Sequence, residues 1–306
     1  NSFEPNLDVE VGIDVADEGD HESFDLGREG ALRILGFDNI LLGCKTAVKS
    51  RVNTLEVDGL LVADGTQTGI DANSFKTLAY TGPRGSVSII NSTITTELNG
   101  IQVSNRQADI TINDNNARGK DGIAVLTAFN FDSDISITGN RISNSGVGVL
   151  SIQNDPTTRV TVANHQGANA YIKKVKHGIF LSGEQNAIVE DNTISEYGNL
   201  FAPPIFFNFI DQRSNGIIAY GSPRVRVLDN SIQSNLNDFT YGISLYESQE
   251  VAICRNNISD VFVCLIAVDN CLESTLRSNR FSTAAFGVAI VDNGQLGPQG
   301  ARGTLS

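Results

Sequence analysis

The chain has no methionine and no tryptophan, and only three histidines, four cysteines and seven lysines among 306 residues. The shortage of lysine bears most on function. With 22 basic against 35 acidic side chains, the net charge is −13. A surface of that sign repels nucleic acid and anionic membranes, so neither is an expected partner. It also disfavours long anionic polysaccharides unless a cation or a local basic patch intervenes. Acidic solubility in salty or extracellular surroundings is the plain explanation of the charge. No apolar run approaches the roughly 18 residues that a membrane-spanning helix needs, so membrane insertion is not expected. The four cysteines, Cys44, Cys254, Cys264 and Cys271, lack metal-ligand spacing. One disulfide among the last three competes with buried free thiols. The chain opens Asn1-Ser2-Phe3 without an initiator methionine, which reads as a processed or excised start and fits export to an extracellular, virion-surface or cell-surface location.

What the chain does have is a repeat. Val225-Arg226-Val227-Leu228-Asp229-Asn230-Ser231-Ile232 is followed by Gly242-Ile243-Ser244-Leu245, and the same phrase recurs around Asn115, Asn140 and Asn256. The Asn slot falls at Ser92, Asn115, Asn140, His165, Asn192, Asn230, Asn256 and Asn279, at gaps of 23, 25, 25, 27, 38, 26 and 23 residues. Two weaker copies place Phe37 and Leu60 in the slot. Short segments with period-2 alternation and no helical periodicity are strands joined by turns. About 23 residues holding three short strands make one coil of a right-handed parallel β-helix, an all-β solenoid of about ten coils. A single coil cannot bury its own apolar face, so coils must stack.

The Asn slot has two physical rationales. A sharp bend often needs a left-handed backbone, which Asn tolerates. Stacked Asn side chains can also hydrogen-bond from coil to coil. His165 breaks the run and reads first as a locally satisfied turn residue.

The Val-x-Ile-x-x-Asn-x-Ile and Gly-Ile-x-Val phrases resemble the parallel β-helix repeats of the pectin-lyase-like superfamily, over about residues 31–292. That group includes polysaccharide lyases, hydrolases, epimerases and phage tailspikes. The resemblance implies the fold and leaves activity open. It also implies that the outer face of the first strand, the Gly-Ile-x-Val stretch, is the place for a site.

The ends depart from the repeat. Residues 1–30 form an acidic arm or cap, and 293–306 a Gly-rich tail. The Asp14, Asp17, Glu18 and Asp20 cluster offers the carboxylates a calcium ion wants but lacks EF-hand spacing. A solvated arm is the competing reading, and no other cofactor is implied. An insertion at about 198–215 contains Phe201, Phe206, Phe207 and Phe209 and should border the first-strand face.

On that face the outward x position reads Gln102, Ala124, Gly148, Phe180, Ile218, Ser244, Ile266 and Ala289. None carries a charge, whereas hydrolases and lyases need carboxylates or a strong base in place. An apolar centre suits a trimer contact or another covering surface. The flanks hold His177, Glu184, Asp211, Arg213, Tyr220, Tyr241, Tyr246 and Glu247, a set that with Phe180 suits sugar rings stacked on aromatic side chains. The leading expectation is therefore a structural or adhesive module, a homotrimer in contact with a polysaccharide or cell-surface glycan. The alternative is a carbohydrate-active enzyme, a uronate lyase or epimerase working near residues 165–256 with Tyr220, His177 and Arg213.

Overall fold

A strand in which Ile and Val alternate with polar residues has one face to bury, and here successive strands close that face on itself. The computed structural model describes residues 9–15, 31–63, 65–74, 84–198, 213–234, 240–292 and 294–296, and among these every regular element is a strand. They form two parallel sheets, one of 10 and one of 17 strands. The smaller sheet is the column of second strands, from Ala31–Leu35 through Arg226–Leu228 to Thr275–Arg277. The larger carries third strands such as Ser231–Gln233 and first strands such as Thr240–Tyr246. In several coils third and first strand run on as one 12-residue strand, as in Arg141–Ile152 and Asn257–Val268. Each of these two turns its corner at a left-handed residue, Asn144 (φ 51°) and Asp260 (φ 56°).

Inward residues stack like on like. Val57, Ile89, Ile112, Ile137, Val162 and Val189 occupy one register column of the second-strand sheet, and all are fully buried. Each buried aliphatic side chain contributes about 1.5–3 kcal/mol. This continuous core, rather than any single coil, holds the rod together.

The Asn ladder forms, but its physical basis differs from the expected one. The left-handed residue is the one before the slot: Asn91, Asp114, Asn164, Asp191, Asp229, Arg255 and Ser278 all have φ between 50° and 59°. The slot residue supplies hydrogen bonds instead. Asn140 Oδ1 accepts from both the backbone N–H and the Nδ2 of Asn115, each at 3.0 Å, while Asn115 Nδ2 also donates to Ile89 O at 2.8 Å. The pattern repeats through Asn192, Asn230, Asn256 and Asn279. His165 fills its rung as a neutral imidazole, with Nδ1 2.8 Å from Asn192 Oδ1 and Nε2 3.4 Å from Asn140 Nδ2. That pairing makes Nδ1 the donor and Nε2 the acceptor. In the first coil Asn39, not Phe37, holds the slot: Leu61 N–H bonds Asn39 O as Thr93 N–H bonds Leu60 O. Phe37 stands outside, 74% exposed.

A second polar ladder runs inside the opposite corner. Backbone N–H groups donate down the column Arg106, Asn130, Asn154, Glu184, Ser222 and Ser248, each to the side chain of the next. Arg106 opens it, fully buried, with Nε, Nη1 and Nη2 bonding the carbonyls of Ala72, Val52 and Ser50 at 3.0, 2.6 and 2.9 Å. Burial pulls this guanidinium down to about 10.

The ends close unequally. Val9–Val15, within the acidic arm, is a strand paired in parallel with Cys44–Ser50, so part of the arm belongs to the rod. At the other end Val288 and Ile290 continue the columns of Leu265 and Ala267 yet are 41% and 53% exposed. All four cysteines are free thiols.

Candidate contact face and groove

The outer face of the first strands consists of three columns set by strand register. The central one runs Asp14, Lys49, Asp71, Gln102, Leu126 and Leu150, then Phe180, Ile218, Ser244, Ile266 and Ala289. This corrects two rungs of the sequence reading. Ala124 and Gly148 belong to the column of Gly100, Gly178 and Gly216, where the chain turns inward, and the outward residues are Leu126 and Leu150. The glycines there are needed for close approach: a Cβ on Gly178 would lie 2.4 Å from Gly216 O. Three charged residues, Asp14, Lys49 and Asp71, precede the uncharged stretch.

Leu150, Phe180 and Ile218 form an apolar cluster with Ile123, and none exceeds 4% exposure. They are thus already buried within one chain, which removes the reason for expecting a trimer contact at this point. It also removes Phe180 from the accessible ligand-binding residues. Glu184 is a second correction. Its side chain points into the rod, where Oε1 accepts from Ser151 Oγ (3.1 Å) and Asn154 Nδ2 (2.9 Å), and it cannot join an outer patch. Burial pushes its carboxyl up to about 7. Glu247 is exposed at the corner after Tyr246, in a left-handed conformation (φ 49°). Asp211, the Phe201–Phe209 run, and Asp17, Glu18 and Asp20 lie outside the described residues. Asp14 sits in register with Lys49.

The flanking columns hold the remaining expected residues. His177, Asn215, Tyr241, Val263 and Phe286 follow one another on the first side, and Ser182, Tyr220, Tyr246, Val268 and Val291 on the other. His177 Nδ1 lies 3.4 Å from Asn215 Nδ2; Asn215 Oδ1 in turn accepts from Ser244 Oγ. Since Asn215 presents its amide nitrogen, His177 accepts at Nδ1. Burial, aided by the Lys176 charge, lowers the imidazole to about 3, so it is neutral at working pH. Arg213 bonds the Tyr241 hydroxyl and holds its guanidinium carbon 5.2 Å from that ring's centroid. Tyr220 and Tyr246 meet at 6.4 Å between centroids with a 45° tilt.

Toward the last rungs this face opens into a groove of about 460 Å³. Val263, Ile266, Val268, Ala289 and Val291 make its floor; Tyr241, Tyr246, Phe262 and Phe286 are its aromatic lining; Arg213 and Asp292 are its charged residues. Phe262 and Phe286 pack edge to face at 5.5 Å. Arg213, Tyr241 and Tyr246 were expected at a site and line this groove. His177 and Tyr220 are not in its lining, so the trio required by the enzyme reading does not converge here. Phe262, Phe286 and Asp292 escaped the sequence reading. Their one signal was register, since Phe286 sits two rungs above Tyr241 in one column.

A family model described as a right-handed β-helix region matches residues 129–298, more than half of the chain. The chain belongs to the right-handed β-helix family. No curated protein and no solved structure matches it. In this β-helix the matched span contains the whole groove and both tyrosine-bearing columns.

What this part of the β-helix can do chemically follows from its side chains. Among the described residues of the lining, Asp292 is the carboxylate and Arg213 the strong cation, at opposite ends of the strands. Among the described residues the groove lining itself holds a single carboxylate, whereas an acid and base acting together on one bond need two ionisable groups across it. Among the described residues no group of three or more His, Cys, Asp or Glu converges as a metal site. An aromatic-lined groove on a rigid sheet is suited to holding a ligand.

Proposed function

We propose that this β-helix is a structural and adhesive module that holds a glycan in the groove formed by its last first-strand rungs, binding without turnover. The carrying observation is the placement of Tyr246, Phe262 and Phe286 around one open groove whose charged lining, among the described residues, is Arg213 and Asp292. Aromatic rings offer sugars an apolar face, and the Tyr hydroxyl offers a hydrogen bond. The parallel pairing of the groove strands supports this use, because it sets the backbone beneath the groove side chains before a ligand arrives. On this reading the rod works outside the cell or on a particle surface, where glycans are displayed. A glycan array probed with the intact protein tests it: discrete hits are expected, and a silent array contradicts it. Incubation of any hit with the protein should leave the glycan uncleaved and unepimerised.

A further inference from the structure

The groove is uneven in polarity. Its floor, from Val263 and Ile266 to Val268, Ala289 and Val291, has no side-chain hydrogen-bonding atom, while the charged groups are confined to the two strand ends. Arg213 lies beside Tyr241 where the strands begin, and Asp292 follows Val291 where they stop. A sugar ring with a hydroxyl on every free carbon would press some of them onto this floor, and a buried hydroxyl without a partner is penalised. A methyl group gains from the same surface, about fourfold in affinity for each group buried. The overall charge of −13 and the carboxylate of Asp292 act against a polyanionic chain.

Resting on the glycan reading above, we propose that the groove selects sugars carrying a methyl group, whether a 6-deoxy carbon or an acetyl substituent. The methyl seats on Ile266, Val268 and Ala289, and the exposed ring of Phe286 lies against the sugar. The hydroxyls turn toward the Arg213 and Asp292 ends, where donors and acceptors are available.

The test is an array of glycans identical except for the terminal sugar, which is a hexose, the matching 6-deoxyhexose or the matching N-acetylhexosamine. Wild type is compared with Val268→Thr, which keeps the shape and adds a hydroxyl to the floor, and with Ala289→Ser on the last rung should the first variant unfold. The expected result is binding at least about fourfold tighter to one or both methyl-bearing termini, with the preference lost in the variant. A preference for only one of them upholds the proposal and assigns the methyl's source. Equal binding to all three, binding confined to other glycans, or a preference that survives both substitutions overturns methyl selection and leaves the glycan reading standing. An array silent throughout overturns the glycan reading itself.

Discussion

Asn154 Nδ2 donates to Glu184 Oε1 at 2.9 Å from the neighbouring rung, inside the rod, where no solvent reaches the carboxyl. Desolvation raises that carboxyl from 4.5 to about 7. Between these values the folded chain keeps a proton that the unfolded chain gives up. Stability therefore falls as pH rises through this window, and a cost of about 3 kcal/mol persists above pH 7. Glu184→Gln keeps an acceptor oxygen without a charge. It is expected to be more stable than wild type by up to about 3 kcal/mol at pH 8, and equal to it near pH 4, in urea unfolding.

His165 works in the opposite direction. Burial lowers it from 6.5 to about 4 against the raising effect of its bonds to Asn192 and Ala163. The stability tied to its neutral form is present above pH 6.5 and lost as pH falls toward 4. His177, lowered to about 3, has the same sign. His165→Asn restores the amide of the neighbouring rungs, so its unfolding midpoint should drop less between pH 7 and pH 4 than that of wild type. An unchanged acid slope would mean that His165 does not titrate on unfolding.

Arg106 ties three carbonyls from earlier coils to one guanidinium. Arg106→Leu fills part of the space but leaves Ser50, Val52 and Ala72 oxygens without that donor. A loss of about 3 kcal/mol or more in unfolding free energy is expected, since each stranded buried acceptor costs about 1–3 kcal/mol.

Gly178→Ala would set a methyl 2.4 Å from Gly216 O and 2.7 Å from Ile194 Cγ2. The rungs must separate to admit it, at a cost of about 1–3 kcal/mol readable in the thermal midpoint. Cys264 occupies the same column one rung beyond Gly242, nearer the open end.

The sequence announces the Asn ladder because one residue type serves every rung at a regular interval. The ladder from Arg106 to Ser248 was not legible, because Arg, Asn, Glu and Ser each meet the same demand there: a side chain that accepts from, or clamps, the backbone of a neighbouring coil. Glu184 accordingly looked like a surface acid. Gly122 and Gly146 mimicked the turn residues that are in fact Ala124 and Gly148, shifting two rungs by two positions. Phe37 stood in for Asn39 for a similar reason, since apolar spacing alone does not mark a corner. The groove was half legible. Its tyrosines and Arg213 flank the repeat phrase, whereas Phe262 and Phe286 become neighbours only through strand register.

The function proposed for this rod rests on glycan contact through the groove. The direct measurement is the affinity of the strongest array glycan for wild type, Tyr246→Ala and Phe286→Ala, with unfolding midpoints measured in parallel. Phe286 is 54% exposed, so its removal should leave the midpoint nearly unchanged. Each substitution is expected to weaken binding by about tenfold, from about 1.4 kcal/mol of lost aromatic contact. Full affinity in both variants would contradict the account.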